Sequence, residues 1–152
     1  MSRSNYVPSK PLLSQIGAGI HLLTIIDAYP YLKDGKPLIY NEHPVIVIRF
    51  KSEGRVIETA FYIGGKSYKI LLKMLKYFDL DPMQDIRKKD VVGNKVWGYI
   101  REVWQIKDYQ RFGDASYELF DVSPCIDEMK PVHSDEMLIK EGIIQGDFVK
   151  YI

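Results

Sequence analysis

The sequence predicts a mostly β protein, a five-stranded barrel with one internal helix and a short C-terminal extension. Three observations carry that prediction. Between Ile20 and Val122, runs with a period of two recur five times, one run at helical spacing separates the third from the fourth, and Gly, Pro, Asp and Asn turns punctuate them. This is the element order of a five-stranded OB barrel, an architecture that binds oligonucleotides and oligosaccharides on one sheet face and its flanking loops. The predicted organisation is an N-terminal arm over 1–16, the barrel over 17–123 and an acidic extension over 124–152.

Residues 1–16 carry Ser, Asn and two Pro without a sustained period and read as an arm or a loose first strand. Gly19 to Asp27 is apolar on both faces, as a strand buried for much of its length should be. Ala28 to Asn41, with Pro30, Asp34-Gly35 and Pro37, predicts a long loop that carries Tyr29, Tyr31, Lys33, Lys36 and Tyr40. Pro44 to Lys51 sets Ile46, Ile48 and Phe50 against Val45, Val47, Arg49 and Lys51. Ser52-Glu53-Gly54 supplies turn residues, and Arg55 to Ile63 returns as the third strand.

From the N-cap candidate Ser67, the spacing of Ile70, Leu71, Met74, Leu75 and Phe78 predicts a helix that Asp81-Pro82 stops. A polar link through Arg87, Lys88, Lys89 and Asp90 leads to the fourth strand, Lys95 to Ile106. If Val96 and Ile100 face the core, Trp97, Tyr99 and Arg101 point outward together. Lys107 to Ser116 reads as a second loop, with Tyr109, Arg111 and Phe112, before a last strand near Tyr117 to Val122. The extension predicts a short helix from Ser134 through Lys140, stopped at Gly142.

A chain of 152 residues is long enough to bury one real core, and apolar runs such as Val45 to Ile48 are far too short to span a bilayer. No membrane partner is expected. The first five residues lack the apolar stretch of a secretory signal, and the lone Cys125 has no intrachain disulfide partner, so the expected location is cytoplasmic. Charge divides unevenly along the chain. Residues 1–111 hold 18 of 21 Lys and Arg against 11 of 20 Asp and Glu, a balance of +7, which leaves 3 against 9, a balance of −6, after Arg111. A basic body suits a polyanion, and an acidic segment suits competition for that surface or recruitment of another protein.

Catalytic and metal chemistry find no support in the spacing, so neither an enzyme nor a cofactor is expected. Ala60 to Ser67 ends in Gly-Lys-Ser like a phosphate-binding loop, but Ala60 replaces the first glycine and Phe61, Tyr62 and Ile63 occupy the stretch that would wrap a phosphate. His21, His43 and His133 lie far apart, with no second ligand at helical or turn spacing. No serine sits on a strand-turn-helix elbow, and acidic residues, which do not favour a thiolate nucleophile, follow Cys125.

The aromatic and basic residues remain. Tyr29, Tyr31, Lys33, Lys36, Arg49, Lys51, Tyr62, Trp97, Tyr99, Arg101, Tyr109, Arg111 and Phe112 form the predicted binding set, because aromatic faces stack bases and cations neutralise phosphates. The Gly19 to Asp27 strand, the Lys33-Asp34-Gly35-Lys36-Pro37 turn, the paired strands, the Ser67 to Leu80 helix and the opening Val92-Gly93-Asn94-Lys95-Val96 resemble phage-type single-stranded DNA-binding proteins with an OB fold. The resemblance covers about two-thirds of the chain. It implies non-catalytic binding of single-stranded DNA, or RNA, in replication or recombination, with replication or recombination proteins recruited by the acidic segment. Bacterial single-strand binders often end in an acidic tip with a terminal Phe, whereas this chain ends Lys150-Tyr151-Ile152. A protein-interaction OB module and an oligosaccharide-binding barrel are the alternatives on residues alone.

Overall fold

The computed structural model describes residues 12–65, 67–107, 110–127 and 148–151, with the backbone alone at 105–107, 111, 112 and 148–151. The helix expected from Ser134 lies outside them, as do the first eleven residues of the arm.

The protein is mostly β, built on a five-stranded antiparallel sheet. Its strands are β1 (Gly19–Pro30), β6 (Ile46–Ser52), β7 (Arg55–Phe61), β8 (Lys95–Lys107) and β9 (Gln110–Pro124), paired in the order β7-β6-β1-β8-β9. The expected long loop after β1 is folded into two small hairpins, β2 (Leu32–Lys33) with β3 (Lys36–Pro37) and β4 (Ile39–Tyr40) with β5 (His43–Pro44). Backbone bonds from Tyr31 N to Val45 O, Leu38 N to Tyr31 O and Val45 N to Leu38 O, all 2.8–2.9 Å, tie their bases together.

Alternation accounts for the core. Leu23, Ile25, Ile48, Phe50, Ile57, Val96, Ile100, Leu119 and Val122 are buried together from five strands. Between Ile25 and Asp27 the β1 register slips by one residue. A bulge there lets Asp27 stand opposite Arg49 and Ala28 pack on the core, where strict alternation would turn Asp27 inward. The β6–β7 turn has positive φ at both Glu53 (51°) and Gly54 (80°), the twist a two-residue hairpin needs.

Helix α1 (Tyr68–Tyr77) lays Ile70, Met74 and Leu75 on the core, and its Lys73 reaches Asp121 of β9 at 2.6 Å. Its ends differ from expectation. Ser67 occupies the N-cap position, but its hydroxyl donates to the Ala60 carbonyl (2.8 Å) and caps no helical N–H. At the other end the helix stops before Asp81-Pro82, because Asp79 turns to φ 57° and Leu80 N closes on Leu75 O at 2.8 Å. A one-turn helix α2 (Lys88–Val91) then buries Val91 ahead of β8.

The expected second loop is largely strand. β8 and β9 stay paired from Val96↔Pro124 out to Lys107↔Gln110, so Arg111 and Phe112 belong to a long hairpin. β10 (Phe148–Tyr151) lies parallel to the outer half of β8.

Among the described residues the expected barrel does not close, and the strands form an open sheet. Among the described residues β7 and β9 do not pair; the 12–16 segment stands between them. Gln15 N bonds Val56 O and Glu58 N bonds Leu13 O, each at 2.8 Å. On the far side the Ser14 hydroxyl donates to Tyr117 O (2.9 Å) and accepts from Tyr117 N (3.2 Å). An edge strand left bare would be a template for aggregation, and this segment covers part of it.

Among the described residues β8 is the most buried strand, and Gly98 marks a tight point on it. A Cβ there would lie 2.3 Å from Leu23 Cδ1 and 3.0 Å from Leu119 Cδ1. Leu23 is fully buried, so it has little room to move aside. We expect Gly98→Ala to cost about 1–3 kcal/mol of unfolding free energy in a urea titration. A cost within error of zero would show that the Leu23 side chain repacks freely.

Candidate functional site

The structure separates the predicted binding residues into four places. Lys33 and Lys36 are exposed on the β2–β3 hairpin, with Tyr31 half-buried at its base. Tyr29 and Arg49 meet on the sheet, and Tyr62 lies just past the end of β7. Lys51 sits by a shallow groove along β1 with Leu22, Ile26 and Trp97. Arg101 is on β8 beside β9. Tyr109 and the side chains of Arg111 and Phe112 lie outside the described residues.

The expected outward row of Trp97, Tyr99 and Arg101 is corrected by burial. Trp97 is 8% exposed and Tyr99 4%, packed in a second apolar cluster with Ile20, Leu22 and Phe120. Both faces of β8 are therefore largely interior at Trp97 and Tyr99, and Trp97 shows the groove beside Lys51 too little of its surface to serve as a stacking platform. Tyr99 meets Phe120 edge-on at 6.2 Å and its hydroxyl accepts from Ser123 (2.9 Å). The guanidinium of Arg101 is bound to Glu118 at 2.6 Å and lies over the Phe120 ring.

Arg49 is likewise engaged. Its Nε and Nη2 donate to Glu58 Oε2 at 3.2 and 3.0 Å, and the Tyr29 hydroxyl donates to the same oxygen. Leu13 N–H donates to the other, Oε1, at 2.8 Å. Burial by itself would push the Glu58 carboxyl up, but these donors outweigh it and hold the group below the usual glutamate range. Tyr29 is pushed up, first by burial and then by the Glu58 carboxylate. The sequence held a signal for this pair: a two-residue turn at Glu53-Gly54 places Arg49 opposite Glu58.

Tyr29 and Tyr62 share a cleft of about 530 Å³. The end of β1 supplies Tyr29 and Pro30, and the β4–β5 hairpin supplies His43 and Pro44. Helix α1 contributes Tyr68 and Leu71, and the Pro82–Val91 segment closes the remaining side with Asp85, Arg87 and Lys88. Ile48, Phe61 and Leu75 form an apolar floor continuous with the core. The hairpin wall is fastened twice: Tyr40 packs edge-on against Tyr62 at 4.9 Å, and Asn41 Nδ2 donates to Ile63 O at 3.0 Å. Lys88 bridges to Asp27 at 2.5 Å, and that hydrogen bond is the main reason Asp27 titrates below its ordinary range.

Sequence reasoning missed His43, Tyr68, Arg87 and Lys88 as neighbours of Tyr29 and Tyr62. Tyr68 opens an amphipathic helix and Arg87-Lys88 reads as a polar link, so local spacing held no sign that they converge. Among the described residues no three His, Cys, Asp or Glu side chains come together to hold a metal ion. No helix there is long and apolar enough to cross a membrane. Comparison with protein-family models, curated proteins and solved structures finds no match.

Proposed function

We propose that the protein binds single-stranded nucleic acid, DNA in the first place, without catalysis, and that its sheet is an open variant of the OB architecture. One observation carries this reading. Three tyrosines and a histidine converge on a cleft with an apolar floor, with Arg87 and Lys88 on its wall. Unpaired bases can enter such a cleft and stack on its rings, whereas the bases of a duplex are held in the stack and cannot. The strand order, with the helix between the third and fourth long strands, supports the OB reading. The exposed Lys33 and Lys36 lie on a hairpin that leaves the same junction as the cleft wall, where they can neutralise further phosphates. The phage-type resemblance favours replication or recombination as the setting, and the −6 balance after Arg111 favours recruitment of proteins of those processes.

The test is a titration of a fluorescent oligonucleotide, single-stranded and duplex, at two salt concentrations. Single strands are expected to bind more tightly, with affinity falling steeply as salt rises. Tyr62→Ala should cost about 1–3 kcal/mol of binding with an unchanged salt slope, because stacking releases no counterions. A failure to bind at low salt rejects the reading. Affinity for an oligosaccharide that ignores salt would point to a sugar-binding barrel instead.

A further inference from the structure

We infer that the cleft is a pocket for one nucleotide unit: a single unpaired base enters against the tyrosines and its phosphate rests at Arg87. The inference deepens the nucleic-acid reading above and rests on it. Non-specific single-strand binders lay successive bases along an open sheet face on spaced aromatic rings. In this protein Trp97 and Tyr99, the rings expected to form such a platform, are buried and leave no track across β8. Tyr29, Tyr62 and Tyr68 instead gather at one place.

That place is a half-open cleft. Strand end, hairpin, helix and the Pro82–Val91 segment wall it on separate sides, and its floor is core. A run of stacked bases needs a groove open at both ends, but one base needs only a mouth and a flat wall. The volume of about 530 Å³ is room for one small molecule, and insertion of one base between aromatic and apolar walls is how extruded bases are held elsewhere.

The charges place the phosphate. Lys88 is paired with Asp27, which leaves Arg87 as the lining cation with no ion pair among the described residues. Arg87 anchors its backbone N–H on Asp90 Oδ2 at 3.0 Å, and as a guanidinium it can grip phosphate oxygens with two donors. Asp85 is the carboxylate among the lining residues, and it disfavours a phosphate on its own side of the mouth.

Calorimetry of the full chain with a nucleoside 5′-monophosphate, and its competition against a labelled oligonucleotide, tests the inference. One monophosphate is expected to bind per chain and to displace the oligonucleotide, while the unphosphorylated nucleoside binds more weakly and inorganic phosphate alone displaces nothing. Arg87→Gln, at an exposed position, should weaken the monophosphate about tenfold. Tyr68→Ala should weaken it at least as much; Tyr68→Leu, which keeps apolar bulk at the start of α1, serves if the alanine variant does not fold. An oligonucleotide that binds while millimolar monophosphate leaves it in place overturns the pocket and spares the nucleic-acid reading. Binding of the monophosphate that is unchanged in both the Arg87 and Tyr68 variants also overturns it. If neither monophosphate nor oligonucleotide binds, both readings fall.

Discussion

Trp97→Ala is expected to lower the unfolding free energy by about 3–5 kcal/mol, the cost of emptying a large aromatic from a packed interior. Trp97 is 8% exposed and sits on β8, which is paired on both sides, opposite Leu22 of β1 and Ser123 of β9. Its removal leaves Ile20, Leu22 and Tyr99 without their largest neighbour, and a sheet paired on both sides cannot collapse to fill the space. The indole N–H has no hydrogen-bond partner among the described residues. Trp97→Phe, which removes that N–H and keeps most of the ring, should therefore retain most of the lost stability. Urea denaturation of both variants checks this. An alanine variant as stable as the parent would mean that the ring contributes little packing and that the apolar cluster around Ile20 is loose.

Glu58→Ala is expected to cost about 2–3 kcal/mol, because three donors lose their acceptor at once. The carboxylate side chain is 6% exposed, while Arg49 is 37% exposed. The freed guanidinium can turn to water, which keeps the cost below the 3–5 kcal/mol typical of breaking a fully buried pair. The Leu13 N–H and the Tyr29 hydroxyl lose their partner as well, so the hold on the 12–16 segment slackens and amide exchange at Leu13 should quicken. Acid has the same target. The folded carboxyl titrates below its unfolded value of about 4.3, so its contribution is complete above that pH and is lost as pH falls through the lower folded value. The parent should lose stability across that acid window, and Glu58→Gln should lose less over the same range. Asp27, also held low through Lys88, leaves part of the acid limb in the variant. Parallel acid limbs for parent and Glu58→Gln would show that the Glu58 network is no stronger in the folded state than in the unfolded chain.

Much of the strand plan was legible because burial on one face leaves a period of two. β6 and β7 show this in their outer halves: Ile48, Phe50 and Ile57 face the core while Arg49 and Lys51 share the other side, although Val47 on that side is buried too, and both strands appear within two residues of their expected ends. Helix α1 was legible from Ile70, Met74 and Leu75, although its end was not, since the left-handed turn at Asp79 precedes the expected proline stop. The face of Trp97 was illegible for a specific reason. Val96 and Ile100 alternate with Trp97 and Tyr99, and when both sets are apolar the period gives two faces without saying that both are interior. The β9 extension was misread because Arg111, Gly113 and Asp114 look like loop residues, while pairing with β8 outweighs their individual preferences.

By itself the sequence determined the order of the five long strands, the place of helix α1 among them and the turn whose two-residue form sets Arg49 against Glu58. These are local matters, written in spacing and in turn residues that act within about ten positions of one another. Only the tertiary structure decided which functional side chains meet. Tyr29, His43, Tyr62, Tyr68 and Arg87 reach one cleft from separate segments of chain, and the burial of Trp97 follows from strands paired on both sides of β8. Convergence of that kind depends on how the sheet, the hairpin and the helix pack in space, a long-range outcome that no periodicity along the chain records.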